Sequence, residues 1–512
     1  MTLRLILGDQ LNERHPWFCQ PADPEVRYVL MEIRPEVTYV CHHIQKVMAF
    51  FGAMRLFAAR IEAMGHRVTY LRFDDPANLH GFADNCRALI RSEGIQRFEY
   101  LLPDEYRLDE QLRDFCQSID IPWAVCDTSH FLTSREDLAR QFEGKKTFLM
   151  ENFYRKMRQK HQILMESDGV TPLTGRWNYD AENRKKLPSG VDIPPATQYL
   201  RDLSHLADML AAQGVQTIGT VRATHFDWPL TRAESLDLLE HFVRFRLQFF
   251  GQYQDALSSR DWLLYHSRLS FSLNVKLISP LEVVQAAIAF WEQQSDRIPF
   301  ATLEGFVRQI IGWREYMRGI YWAKMPDYAM LNYFGHTAQL PSWYWTGQTR
   351  MRCLSHAITQ SLERGYAHHI QRLMVTGNFA LLLGVHPDEV DAWYLGIYVD
   401  ALEWVEITNT RGMSQFADGG IVGTKPYVSS ANYLHKMGDY CTKCHYRRDE
   451  KTSQNACPFN ALYWDFYERH RERLANNPRI GMMYQVWDKM PAEERVAILE
   501  RADWVKENVE GL

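Results

Sequence analysis

Short apolar runs alternate with amphipathic stretches through the first 130 residues. Residues 3–7, 27–33, 68–73, 98–102 and 123–126 read as strands, and helical patterns lie between several of them. The clearest of these helices is 42–64, which Gly65 stops. Strand–helix–strand repetition predicts an α/β domain with a parallel, Rossmann-like sheet covered on both faces. Such sheets bind ligands beyond the carboxyl ends of their strands, where Gly8-Asp9-Gln10 follows the first strand. No Gly-x-Gly-x-x-Gly is present, which disfavours an ordinary NAD site.

The pattern then changes. Residues 131–230 are broken by Thr171-Pro172, Pro188-Ser189-Gly190 and Pro194-Pro195 and read as an interdomain linker. Its segment 176–188 is aromatic and basic, which suits a loop facing nucleic acid or a solvated one. From 231 to 512 helical periodicity takes over, with helices predicted at 236–250, 281–294, 302–321, 354–373 and 390–398. The expected organisation is an α/β domain over 1–130, a linker, and a large all-α body.

Length and charge narrow the class. A chain of 512 residues is too long for one core. An apolar fraction of 46% fills two or three cores and argues against long disorder. The amino terminus reaches Asp9 too soon for a secretory apolar region, and no run is long enough to cross a bilayer. A soluble, cytoplasmic monomer is expected. Net charge is −5, so any nucleic-acid contact must come from a local basic face.

The chemistry concentrates in the cysteines. Cys441-x2-Cys444-x12-Cys457-Pro458 places three thiols in one segment, and Cys353 stands upstream. Four thiolates meet the requirement of a [4Fe–4S] cluster, and a Cys-Pro step recurs at the ends of cluster loops. Tetrahedral zinc is the alternative ligation. The other five cysteines lack ligand spacing and read as reduced thiols.

Several clusters in the helical body, taken in order, resemble the photolyase/cryptochrome superfamily. Ser267-Arg268-Leu269-Ser270 is similar to that family's flavin phosphate-contacting turn. Gly312-Trp313-Arg314-Glu315-Tyr316 resembles its Trp-Arg-Glu helix. Trp393-Tyr394-Leu395 through Val399-Asp400-Ala401 resembles the stretch lining its isoalloxazine ring. The cysteine arrangement, the opening Gly8-Asp9-Gln10-Leu11 and Gly365-Tyr366-Ala367-His368-His369 resemble the bacterial iron–sulfur cryptochrome and photolyase branch.

That resemblance implies FAD in the helical domain, with Ser267, Arg268, Leu269, Ser270, Arg314, Asp400 and Glu406 as contacts. Glu406 aligns opposite flavin N5. It implies a [4Fe–4S] cluster on Cys353, Cys441, Cys444 and Cys457. It also implies 6,7-dimethyl-8-ribityllumazine as an antenna contacted by Asp9, Glu36 and Tyr39. Trp345, Trp393 and Tyr394 become the candidates for electron transfer to photoexcited flavin. His368 and His369 become candidate proton donors, since repair of a pyrimidine(6–4)pyrimidone needs both an electron and a proton. Tyr427 would stack on flipped bases, while Arg184 and Lys185 would grip phosphates of UV-damaged DNA.

The expected function is light-driven repair of (6–4) photoproducts. A cryptochrome-like photoreceptor would share the same scaffold. A light-independent iron–sulfur DNA-binding protein, resembling the primase large subunit, is the third possibility.

Overall fold

The computed structural model describes residues 1–145 and 147–512. Five strands form one parallel sheet: β1 (Thr2–Leu5), β2 (Val26–Met31), β3 (Arg67–Leu71), β4 (Arg97–Leu101) and β5 (Trp123–Cys126). Their order is β3-β2-β1-β4-β5, as the strand–helix alternation predicts for a doubly wound sheet. β1 is central, with Leu5 opposite Val29 on one side and Tyr100 on the other. The strand order reverses at the β1–β4 step, so the crevice beyond those two ends is the place for a ligand. Gln10 ties the crevice together: its Nε2 donates to the Leu101 and Leu102 carbonyls at 3.1 and 3.2 Å.

Helix Ile44–Ala63 covers one face of the sheet and buries Val47, Met48, Phe51, Met54, Phe57 and Ile61. Each large apolar side chain removed from water there contributes about 1.5–3 kcal/mol. The amino-terminal end of this helix also reaches the helical body. Its N-cap, His43, accepts from Gln45 N–H at 3.0 Å through Nδ1, while Nε2 meets the Leu362 carbonyl at 2.9 Å. The N–H of His43 donates to the Gly396 carbonyl at 2.8 Å. A Cβ on Gly396 would sit 2.4 Å from the Cys41 carbonyl oxygen, so only glycine allows this approach. Residues between 131 and 230 contain helices of their own. Met150–His161 buries Phe153, Tyr154 and Met157 in the helical core, and Ser204–Ala212 buries Leu206 and Leu210 against Ile44–Ala63.

The helical body departs from simple periodicity in instructive ways. Predicted helix 236–250 divides into Arg232–Phe245 and Leu247–Tyr253. At the junction, buried Arg246 turns inward and donates to the carbonyls of Pro194 and Pro195 at 2.6 and 2.9 Å. Predicted helix 302–321 is continuous in direction from Phe300 but widens to a π-helical turn at Arg308–Arg314. Predicted helix 354–373 stops at Arg364, because Gly365 adopts a left-handed conformation (φ 58°). The chain then passes through His368 before a second π-helical stretch, Gln371–Gly377; a third follows at Thr408–Ser414. Helix Pro280–Gln293 starts with a capping box, Ser279 and Glu282, and Glu282 also pairs with Arg232. Among the described residues no helix is long and apolar enough to cross a membrane.

Candidate functional site

The crevice beyond β1 and β4 is rich in charge. Asp9 follows β1, Asp104 follows β4, and buried Lys276 from the helical body reaches both carboxylates at 2.8 Å. Burial works to lower the Lys276 ammonium but is outweighed by Asp104 and Asp9, so its pKa stands above the ordinary value. Arg318 adds a contact to Asp104 at 3.3 Å. Glu36, predicted as an antenna contact, takes both Nη groups of Arg107 at 2.7 and 2.8 Å. Arg107 lies 4.9 Å from the Tyr39 ring, and His42 packs edge-on at 4.9 Å from the same ring. Tyr39 stays 39% exposed although protein surrounds it, as a side chain lining a cleft does. Both ring nitrogens of buried His42 lack a partner among the described residues. Burial, with Glu403 and Glu36 nearby, pushes the Glu105 carboxyl up to about 7, and Arg107 opposes.

In the helical body the structure brings the predicted flavin residues together around an ion pair. Arg372 Nη2 donates to Asp400 Oδ1 and Oδ2 at 3.0 and 3.1 Å. Ser270 Oγ donates to Asp400 Oδ2 at 2.6 Å, and Asn274 Nδ2 to its backbone carbonyl at 2.7 Å. Arg372 lies 3.7 Å from the Tyr398 ring. Buried Glu406 is pushed up to about 7, chiefly by burial; Arg372 opposes, while Asp400 and Asp391 add to the push. Lys46, whose Nζ donates to the Leu395 carbonyl at 2.7 Å, is lowered to about 8 by burial against the pull of Glu105, Glu406, Asp400 and Glu36. It therefore stands between the crevice and the flavin residues.

Arg268, beside Ser267 and Leu269, adopts a left-handed φ of 57° and sits over Trp228 at 4.2 Å and Trp262 at 5.1 Å. One Nη donates to Asp227 at 3.0 Å, while buried Nε and Nη1 have no partner among the described residues. Buried nitrogens of His266 and His368 are likewise unpaired, and these two rings stack at 4.6 Å. Such orphan donors inside a polar cradle fit a group bearing phosphate oxygens and ring acceptors. Arg314 approaches the Asp400 end of this set: its Nη2 donates to Asn274 Oδ1 at 3.5 Å, and its Nε and Nη1 have no partner among the described residues. It lies 4.7 Å from Phe131 and 5.0 Å from Trp404, and contacts His130 Nε2 at 3.0 Å and the Leu273 carbonyl at 3.2 Å.

His368 is buried, but His369 is exposed at its surface while protein surrounds it, so it lines an opening. Burial and then Arg372 lower His369 to about 4; burial and the neighbouring histidines lower His368 well below its usual value. Both are neutral at pH 7 in the protein alone.

Trp345 is 39% exposed, whereas Trp393 and Tyr394 are buried. Trp393 is 5.1 Å from Tyr344, 5.1 Å from Tyr394 and 6.0 Å from Tyr398. The Tyr394 hydroxyl donates to the Arg372 carbonyl at 2.6 Å. An aromatic series thus runs from the residue next to Trp345 to the Arg372–Asp400 pair.

Cys353 lies at the start of helix Arg352–Arg364, and Cys457 caps helix Pro458–Arg469. Burial pushes the Cys353 thiol far up, and Cys457, Cys444 and Cys441 push it further, so the four thiols share one neighbourhood. Among the described residues no group of three or more His, Cys, Asp or Glu is placed to hold a single metal ion. Arg184 pairs with Asp180 and adjoins Tyr427 and Tyr433; Lys185 donates its backbone N–H to the Gln252 carbonyl at 3.0 Å.

Sequence reasoning missed Arg372, Tyr398, His266, Lys276 and Arg107. Arg372 carried a signal in its position three residues after His369, and His266 in its place beside Ser267. Lys276 and Arg107 had none, because their partners lie far along the chain.

A parallel sheet with a charged switch point, backed by a helical body around a buried Arg–Asp pair, defines the photolyase/cryptochrome class of folds. Solved structures with a similar fold include a bacterial class III photolyase from Agrobacterium tumefaciens (TM-score 0.56, 15% identity, covering 83% of this chain and 81% of that one) and a cryptochrome from Synechocystis (TM-score 0.54, 12% identity, 97% and 93%). Residues 4–228 match the family model "Deoxyribodipyrimidine photo-lyase-related protein". A (6-4) photolyase from Agrobacterium fabrum is 41% identical over 495 residues, 96% of each chain. The chain belongs to the photolyase/cryptochrome superfamily, in the branch of that (6-4) photolyase.

Proposed function

We propose that this protein is a light-driven (6–4) DNA photolyase. Within its family, the observation that carries this reading is His369: an imidazole that lines an opening, three residues from the arginine that pairs with Asp400.

Residues to about 130 would hold the antenna, 131–230 connect the two parts, and 231–512 hold FAD and the cluster. FAD fits the cradle of Arg268, His266, Ser267 and Ser270, with Asp400 and Glu406 at its ring. When bound and reduced, it supplies on absorbing light the electron that a (6–4) lesion requires. The Arg372–Asp400 pair fixes the floor of that site through Ser270 and Tyr398. Glu406, pushed up to about 7 and so about half protonated near pH 7, can hold a proton at the ring edge. His369 and His368 face a different task. Their low affinity for protons in the free protein is raised when negative charge enters the site, and the lesion's phosphates and the transferred electron bring that charge. The imidazole then holds a proton where the 5′ base regains its hydroxyl or amine.

The unpaired ring nitrogens of His42, open Tyr39 and the Glu36–Arg107 pair fit a polar heteroaromatic antenna such as 6,7-dimethyl-8-ribityllumazine. The four thiols in one neighbourhood, with Cys457 followed by Pro458, suit a [4Fe–4S] cluster. Tyr427 and Arg184 supply an aromatic face and a cation for damaged DNA.

The test is repair of a defined (6–4) oligonucleotide under blue light by fully reduced protein. Wild type is expected to repair it, while His369→Ala keeps its absorption spectrum and lesion affinity and loses about 100-fold or more in repair rate. Normal repair by His369→Ala removes the proton-donor assignment. No repair by wild type supports a photoreceptor, and material lacking flavin supports a light-independent DNA-binding protein.

A further inference from the structure

Between Gly365, which ends helix Arg352–Arg364, and His369, where a new helical stretch begins, the chain is irregular. Tyr366, Ala367 and His368 are all buried there, so their backbone groups must find partners outside a helix. Side chains supply them. Gln360 Nε2 donates to the Tyr366 carbonyl at 3.2 Å, and Arg372 Nε donates to the Ala367 carbonyl at 2.7 Å. Gln371 Oε1 accepts from His368 N–H at 3.2 Å. This last contact is the return half of a capping box, in which a side chain three residues on reaches back to the N–H just ahead of the helix.

Gln371 does more than cap. Its amide faces that of Gln360, each donating to the other at 3.0 Å, and Nε2 also donates to the Tyr440 hydroxyl at 3.3 Å. Both acceptor sites of Oε1 and both protons of Nε2 are therefore in use, and the His368 N–H dictates which end is oxygen. Gln360, Gln371 and Tyr440 are all buried. Tyr440 immediately precedes Cys441, and its ring packs 5.0 Å from that of His356, three residues along the helix from Cys353. It thus joins both segments that bring the thiols together. A saturated buried network has few alternative arrangements, so a displacement of the cysteine loop is passed to the turn.

We infer that Gln371 is a positioning residue for the His368–His369 pair, and that Tyr440 makes its placement depend on the cysteine junction. The inference rests on the photolyase reading for the reaction those histidines serve. Gln371 acts through the backbone from which the imidazoles project, and the cysteine junction becomes part of the scaffold of the proton-donating site.

The test uses the full chain purified with its cofactors and two substitutions that keep side-chain size, Gln371→Met and Tyr440→Phe. Hydrogen exchange of the peptide spanning 365–372 reads the turn in the dark, and the repair rate at saturating (6–4) oligonucleotide reads its consequence. With the visible spectrum unchanged, Gln371→Met is expected to speed exchange and slow repair by about tenfold each, while lesion affinity stays within about twofold of wild type. Tyr440→Phe is expected to move both the same way by about threefold, and the double variant to equal Gln371→Met, because the hydroxyl acts through the amide. Effects that multiply to about thirtyfold show independent contributions and overturn the coupling. A Gln371→Met protein that melts and repairs like wild type overturns the positioning role, as does one that loses lesion affinity in step with rate. If that variant does not fold, Tyr440→Phe, which lacks one hydroxyl, decides. Wild type that repairs, with variants that exchange as it does, refutes this network alone. Faster exchange in the variants of a wild type that does not repair refutes the photolyase reading alone.

Discussion

Glu406→Gln isolates the energetic consequence of placing a carboxyl at the ring edge. In the folded chain Glu406 titrates at about 7 against an ordinary 4.5, with burial as the main cause. Below pH 4.5 the group is neutral in both folded and unfolded chains and costs nothing. As pH rises from 4.5 to 7 the unfolded chain releases a proton that the folded chain keeps, so stability falls, and above 7 the loss is complete. At about 1.4 kcal/mol per unit the full loss is roughly 3 kcal/mol. Glutamine keeps the shape and has no proton to lose. The variant is therefore expected to match wild type near pH 5 and to exceed it by roughly 3 kcal/mol at pH 8, about 6 °C in Tm at ~2 °C per kcal/mol. A flavin ring over the carboxyl removes more water and drives the shift the same way. Calorimetry of both proteins from pH 5 to 8.5 reads the difference. A gap that does not change with pH refutes the reasoning. A wild type more stable than the variant at pH 8 also refutes it, because Glu406 would then be an ionised partner of Arg372 or Lys46.

Two further outcomes follow from other parts of the fold. The proposed cluster predicts that anaerobically purified protein contains iron with a broad visible absorption and that Cys441→Ser removes nearly all of both and lowers Tm; a variant that keeps both refutes Cys441 as a ligand. His43 titrates at about 4, against 6.5 when unfolded, because of burial, so the folded state loses about 3 kcal/mol as pH falls from 6.5 through 4. His43→Asn keeps an N-cap acceptor and should flatten that acid limb in a Tm-against-pH series, whereas an unaltered limb places the titration elsewhere.

The α/β half was legible because its cues are local. Alternating apolar runs fixed strands such as Trp123–Cys126, and Gly65 fixed the end of helix Ile44–Ala63, without help from distant residues. The cysteine pattern is local too, since Cys441, Cys444 and Cys457 fall in one short segment, whereas the approach of Cys353 to them depends on the packed fold. Helix 354–373 was misjudged because apolar periodicity runs straight through Gly365, and only the left-handed turn there breaks the helix, leaving residues 366–368 irregular before a new helical stretch starts at His369.

The remaining decisions belong to contacts between residues far apart in the chain. Asp9 and Asp104 matter because Lys276 comes between them, and Asp400 matters because Arg372 and Ser270 close on it. Burial likewise sets the protonation of Glu406 and His43, and burial is a property of the packed molecule. The chain by itself determined which groups were available and which segments were strands or helices. Tertiary structure decided which charges meet, which lose their water and which line an opening, because electrostatic energy depends on distance and solvent access, and sequence order specifies neither.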